Sequence, residues 1–241
     1  MKISINGQFV KKISLSGKEP EFMCAYGVFE TIRTYGGKPF QLSAHLKRLQ
    51  ESAKVIGLKM ASQKTITQYI SKHTDERIKN KELRIKVIGA PNRIYVLSEE
   101  LKIDSKIYKT GVKLLNYPYQ PAVPKIKSLA RIFEYQAHEL ALKQGCFDAY
   151  LGNECACANI FIIKNNTIIT PNRDILYGVT RQVVLNLCKN RYRVVFKKIT
   201  WQDIQHSAEC FITQTSTGIV PVGKPGQITK ELIKLFEYEK K

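Results

Sequence analysis

The chain has 241 residues, of which 44% are hydrophobic and 10% aromatic, enough to bury a substantial core in one or two domains. No run of 18 apolar residues occurs, and Met1-Lys2-Ile3-Ser4-Ile5 carries neither the apolar stretch nor the cleavage site of a secretory leader, so a soluble, cytoplasmic protein with no membrane partner is expected. The formal net charge of +19 invites a nucleic-acid reading, but the basic residues are spread along the chain without a basic tail, a helix-turn-helix signature or an aromatic-basic motif; a solvated surface that attracts anionic substrates is expected, and no nucleic-acid partner.

Residues 3 to 15 alternate apolar and polar about Asn6-Gly7, a dipeptide that favours a tight hairpin turn. Val28 to Tyr35 reads as a strand, turned by Gly36-Gly37 into Lys38 to Leu42. Ser43 can cap a helix with Leu46, Leu49, Ala53 and Ile56 on one face and Gly57 at its stop, which leaves His45 and Arg48 on the other side. A second helix is expected over Thr65 to Lys72, with Ile66, Tyr69 and Ile70 inward. Strands Leu83 to Ile88 and Arg93 to Leu97 follow, joined through Gly89-Ala90-Pro91-Asn92. After a strand at Val112 to Asn116, the proline-stiffened stretch Tyr117 to Pro124 marks a domain boundary. The expected organisation is a small N-terminal α/β domain over 1–117, a linker over 118–126 and a larger C-terminal domain over 127–241.

In the second half, Ile132, Phe133, Gln136, Ala137, Leu140 and Ala141 have helical spacing that ends at Gly145. Asp148 to Leu151 is a strand, and Asn159 to Lys164 with Thr167 to Thr170 a hairpin about Asn165-Asn166. Gly178-Val179-Thr180 opens an amphipathic helix. A strand at Arg193 to Lys198, a turn at Trp201 to Ile204, a strand at Glu209 to Gln214 and a helix from about Thr229 close the chain. The six cysteines, at 24, 146, 155, 157, 188 and 210, are scattered, and reduced thiols are expected.

Three stretches carry the chemistry. Pro124-Lys125-Ile126-Lys127-Ser128-Leu129-Ala130-Arg131-Ile132-Phe133 places Lys127 ahead of a helix, where partial desolvation disfavours the charged amine and frees it for Schiff-base formation. Glu154-Cys155-Ala156-Cys157-Ala158-Asn159-Ile160-Phe161 follows, then Tyr177-Gly178-Val179-Thr180-Arg181-Gln182. In that order they resemble the class IV aminotransferase family of pyridoxal-phosphate enzymes, which includes branched-chain and D-amino acid aminotransferases and 4-amino-4-deoxychorismate lyase. The resemblance implies a mixed α/β, two-domain fold type IV architecture of the D-amino acid aminotransferase kind, with pyridoxal 5′-phosphate as cofactor.

It also implies roles. Lys127 would bond the cofactor aldehyde and then move protons at the carbon bearing nitrogen, and Glu154 would keep the pyridine nitrogen protonated. His45-Leu46-Lys47-Arg48-Leu49 is similar to the family's His-Leu-x-Arg-Leu, whose arginine binds the cofactor phosphate. The amides of Val179 and Thr180 at a helix N-terminus, and the loop of Thr215 and Ser216, would complete a phosphate cup. Gly27 to Thr31 would line the substrate pocket, with Phe29, Thr31, His45 and Arg131 as substrate-binding candidates. Glu154 follows Lys127 by 27 residues, fewer than the family usually has, and Ala130 replaces its common asparagine. Cys155-Ala156-Cys157 has no partnered His/Cys set, so no metal is expected.

Glu-Cys-Ala-Cys-Ala-Asn-Ile-Phe and Lys-Ser-Leu-Ala-Arg-Ile look like the corresponding lyase segments. The expected reaction is therefore conversion of 4-amino-4-deoxychorismate to 4-aminobenzoate and pyruvate, a step of folate biosynthesis. The alternative is amino transfer between branched-chain or D-amino acids and 2-oxo acids. The hairpin over residues 88–93 lacks the basic residues that hold a D-amino acid carboxylate. More remote alternatives are an inactive relative and a basic nucleic-acid binder. The family's site is completed by a second subunit, which implies a homodimer acting on a small amino or carboxylate substrate.

Overall fold

Asn6 and Gly7 take positive φ values of 49° and 78°, the backbone that a two-residue hairpin turn requires. They join β1 (Lys2–Ile5) to β2 (Gln8–Val10) in a computed structural model that describes residues 1–74 and 81–240. After a short α1 (Pro20–Met23), β3 (Val28–Tyr35) pairs with β4 (Lys38–Pro39) and leads into α2 (Leu42–Val55) and α3 (Gln63–Ser71). β5 (Leu83–Ala90) and β6 (Arg93–Glu100) complete an antiparallel sheet of order β2-β1-β6-β5-β3-β4. Leu46, Leu49 and Ala53 of α2, Ile66 and Ile70 of α3, and Val28, Ile32, Ile85, Val87 and Val96 of the sheet form one buried core.

Two helix starts differ in their chemistry. Ser62 caps α3 by accepting the Thr65 N–H at 3.1 Å, whereas α2 begins after Gln41, held at φ 52°, with no side-chain cap. Ser43 lies inside α2 and does not cap it. At the other end Gly57, at φ 70°, takes the expected stop position.

This unit comprises Met1–Lys102 together with Ile126–Ala130; the second comprises Ile103–Lys125 and Arg131–Lys240. The expected linker, 118–126, is therefore divided: residues up to Lys125 pack with the second unit and Ile126 with the first.

The second unit runs α4 (Lys106–Thr110), β7 (Leu114–Asn116), α5 (Ile132–Lys143), β8 (Asp148–Tyr150), β9 (Asn159–Lys164), β10 (Thr167–Thr170), α6 (Val179–Cys188), β11 (Arg193–Phe196), α7 (Trp201–Gln205), β12 (Glu209–Gln214), β13 (Gly218–Val222) and α8 (Gln227–Glu239). β7 and β8 pair in parallel, and a mixed sheet has the order β11-β10-β9-β12-β13. Ile160, Ile162, Ile212 and Val220 pack one buried cluster, and Phe161 stacks on Phe211 with centroids 4.8 Å apart. The turn expected at Trp201 is a helix with a full capping box, in which Thr200 and Asp203 bond each other's backbone N–H groups. On α5 only Ala137 and Ala141 of the residues with helical spacing are buried; Ile132 and Phe133 are exposed. Among the described residues no helix is long and apolar enough to cross a membrane.

Candidate active site

Strand alternation sorts β3 into two faces. Val28, Glu30, Ile32 and Thr34 point into the core under α2, while Phe29 and Thr31 are half-buried on the other face. A carboxylate at Glu30 therefore sits with no exposed surface, and α2 supplies the compensation. His45 Nδ1 lies 2.8 Å from Glu30 Oε2, Arg48 Nε donates to Oε1 at 2.6 Å, and Arg48 Nη2 donates to Oε2 at 2.8 Å. The spacing of His45 and Arg48, three residues apart, puts both on one helical face toward Glu30. Burial alone would raise the Glu30 carboxyl pKa, but the Arg48 charge and the donated hydrogen bonds hold it down at about 2. His45, 1% exposed, is pushed below the usual histidine range, with desolvation outweighing Glu30.

Lys127 reaches this unit by backbone pairing. Phe29 N–H donates to Lys127 O at 2.9 Å, Leu129 N–H to Gly27 O at 2.9 Å, and Val28 bridges Ser128. Gly27 is required by the closeness of this approach: a Cβ there would lie 2.7 Å from Leu129 Cδ1 and 2.8 Å from Gly89 O. The Lys127 N–H also reaches Ser52 Oγ on α2, at 3.3 Å, and its Nζ lies 4.6 Å from the Phe29 ring centroid in a cation–π contact. The first unit thus brings together Lys127, Phe29, His45 and Arg48, with Thr31 two residues along the Phe29 face and Glu30 as the group around which the helix side is built.

In the second unit Glu154 is buried, and its Oε2 accepts from Asn159 Nδ2 at 3.2 Å and from the Leu176 N–H at 3.0 Å. Asn159 Nδ2 also donates to Leu176 O at 2.8 Å. These bonds tie the glutamate segment to the loop that enters α6. Gly178, the N-cap of α6, has no side chain and so offers no cap of its own to the amide end at Val179 and Thr180. A Cβ at Gly178 would come 2.1 Å from Asn159 Oδ1, so glycine is dictated there by packing. Asn159 pairs with Thr213 across β9 and β12, and β12 turns through Thr215, Ser216 and Thr217 into β13. Glu154, the α6 N-terminus and the hydroxyl-rich turn therefore share one end of the mixed sheet. Thr217 Oγ1 is buried there without a hydrogen-bond partner among the described residues.

Arg131 precedes α5, donates to the Ala156 carbonyl and lies 3.6 Å from Glu134. Of the stretch Gly27 to Thr31 expected to line the substrate pocket, Glu30 instead points into the core toward His45 and Arg48, while Asn159 and Thr217 stand in stretches singled out above without a part of their own. The alternation Val28-x-Glu30-x-Ile32 signals Glu30, because it places an acid on an otherwise apolar face.

The sequence profile of the family described as amino-transferase class IV matches residues 27–224, most of the chain. This chain belongs to the class IV aminotransferase family. Its relatives within it include a protein of Thermotoga maritima assigned as a branched-chain-amino-acid aminotransferase, 31% identical over 235 residues that cover 87% of this chain and 85% of the relative. A D-alanine aminotransferase of Listeria innocua is 27% identical, covering 99% and 96%. A crystal structure from Thermotoga maritima, assigned as a branched-chain amino acid aminotransferase, superposes with a TM-score of 0.87 at 27% identity, covering 99% and 95%, which shows the fold type IV architecture expected from the sequence. A structure assigned as 4-amino-4-deoxychorismate lyase reaches a TM-score of 0.85 at 20% identity, covering 93% and 95%, a likeness of fold.

Proposed function

We propose that this class IV aminotransferase family member is a pyridoxal-phosphate enzyme that transfers amino groups between branched-chain amino acids and 2-oxo acids. The observation that carries the cofactor assignment is the buried Glu154 carboxylate, fixed by Asn159 and the Leu176 N–H beside an α6 N-terminus that lacks a side-chain cap. The donor set fits the cofactor's two polar ends: a carboxylate for a protonated ring nitrogen, and for a phosphate the amides of Val179 and Thr180, the Thr215–Ser216 turn and the orphaned Thr217 hydroxyl.

When bound, the cofactor supplies an aldehyde that condenses with amines and a ring that accepts the electrons released at the substrate carbon. Lys127 would offer the anchoring amine and would be the group that carries the proton to and from that carbon. Its place over the Phe29 ring keeps Nζ on the half-buried face of β3. Glu154 would hold the proton on the ring nitrogen. Arg48, expected on the phosphate, has Nε and Nη2 engaged by Glu30, so any part it took in holding a phosphate would come from a guanidinium already fixed in orientation.

Amino transfer replaces the lyase reaction read from the sequence. The supporting fact is that the relatives matched over most of their length are assigned as aminotransferases, whereas the lyase likeness lies at 20% identity. Branched-chain substrates are preferred over D-amino acids because the Gly89-Ala90-Pro91-Asn92 turn of the hairpin over 88–93 carries no basic side chain, and Arg93 at its edge is paired with Glu19 at 2.6 Å and Glu21 at 3.2 Å. A homodimer is part of the proposal. The exposed Ile132, Phe133, Tyr135 and Leu142 of α5 give an apolar surface for a second copy to cover.

The test is a spectrum of the yellow holoenzyme mixed with L-leucine, D-alanine or 4-amino-4-deoxychorismate. Full conversion to the pyridoxamine form by L-leucine, reversed by a branched-chain 2-oxo acid, is expected. Pyruvate release from aminodeoxychorismate without that conversion would restore the lyase. Conversion by D-alanine alone would assign the D-amino acid reaction, and a Lys127→Ala protein that stays yellow and active would remove the catalytic assignment.

A further inference from the structure

Cys157 takes no part in the chemistry proposed above, and the structure supplies what the Cys155-Ala156-Cys157 motif lacked in the sequence. Three elements of the second unit converge on it: His138 from α5, Asp148 from the start of β8, and Cys157 from the loop before β9. One nitrogen, one carboxylate oxygen and one sulfur from these side chains all lie within 4.8 Å of one another. Asp148 is 1% exposed, with Oδ1 accepting the Ala149 N–H at 2.8 Å and Oδ2 the Cys157 N–H at 3.0 Å. His138 Nδ1 stands 3.2 Å from Asp148 Oδ1. The carboxylate thus fixes the Cys157 backbone and orients the imidazole, while the thiol is exposed and able to turn. Cys155, two residues earlier, is buried in a different cluster.

We propose that His138, Asp148 and Cys157 bind one divalent zinc ion, with water as the fourth ligand. The donor set decides the metal. A thiolate and an imidazole select zinc over magnesium or calcium, which take mostly oxygen ligands. Three protein ligands and one open position make a tetrahedral shell, in which bonds of roughly 2.0–2.3 Å place donors about 3.5 Å apart. Rotation of the exposed Cys157 side chain closes the remaining distance. Binding replaces the thiol proton, and any imidazole proton, with the metal, and both protons pass to solvent. The ion would clamp α5 to the segment three residues beyond Glu154, with no step of amino transfer passing through it.

The experiment uses the cofactor-loaded protein, stripped with a chelator and titrated with zinc against a chromophoric competitor. One zinc per chain is expected, with an absorption fine structure showing a single sulfur near roughly 2.3 Å among nitrogen and oxygen neighbours. Zinc should also block alkylation of Cys157 by iodoacetamide while leaving the exposed Cys24 reactive. Cys157→Ser, a surface change that spares the fold, should remove the sulfur neighbour and weaken binding by about tenfold or more, as should His138→Gln. Uptake unchanged in Cys157→Ser, a sulfur-free shell, or alkylation of Cys157 indifferent to zinc would each reduce the trio to a hydrogen-bonded cluster and overturn the proposal. None of these readouts depends on activity, so the site stands or falls separately from the amino-transfer reading.

Discussion

Replacing Glu30 by glutamine keeps the side chain's shape and removes its charge, which leaves the Arg48 guanidinium, 11% exposed, without its counter-ion. Two routes give the cost. Removing one partner of a buried ion pair destabilises by about 3–5 kcal/mol. Independently, holding the Glu30 carboxyl at about 2, against an ordinary 4.5, corresponds at about 1.4 kcal/mol per unit to roughly 3 kcal/mol. For a chain of this length a loss of about 3 kcal/mol lowers the unfolding midpoint by roughly 6–12 °C. The sign with pH follows from the depressed value. Glu30 contributes its full stability above pH 4.5 and loses it as pH falls through about 2, so the gap between wild type and Glu30→Gln should narrow across that interval. Urea unfolding at pH 7 and at several acid values measures it. A variant within about 1 kcal/mol of wild type at pH 7, or a gap that does not change with pH, would refute the reasoning.

His73 is fully buried between Ser4 Oγ and Ser98 Oγ, each 2.8 Å from a ring nitrogen, and desolvation lowers it to about 4. The unfolded chain takes up the proton first, so wild type should lose up to about 3 kcal/mol between pH 6.5 and 4, and His73→Gln should lack that slope in urea midpoints. Gly111→Ala should destabilise by well over about 1 kcal/mol, since φ is 73° and the new Cβ would lie 1.7 Å from Gly223 O; calorimetry reads the loss. Glu154→Gln should retain the yellow cofactor but lower kcat on the order of 100-fold, as steady-state transamination would show.

Much of the fold was legible because local chemistry and tertiary use agree. Asn165 and Asn166, at φ 48° and 55°, turn the β9–β10 hairpin as the dipeptide indicates. The helix after Gly178 and the strand Glu209–Gln214 stand where periodicity puts them. β13 escaped because Pro221 breaks a strand pattern, but the strand lies at the sheet edge, where a missing N–H is tolerated. α5 misled because hydrophobic spacing tells which residues seek cover and not which element of the same chain provides it. For the proposed site, Lys127, Arg48 and Glu154 were singled out through motif order. The Glu30 network needed three dimensions, because it joins β3 to α2 through side chains separated by up to 18 residues.

The strip Ile126–Ala130 belongs with Met1–Lys102 although the chain on either side of it, Ile103–Lys125 and Arg131–Lys240, packs elsewhere. During synthesis the N-terminal body consequently stays unfinished until Ala130 has left the ribosome, and a fragment cut at residue 117 lacks the strip that bridges Val28. Lys127 thus arrives with the piece that completes the body, which links nascent-chain maturation of that body to its acquisition of this side chain.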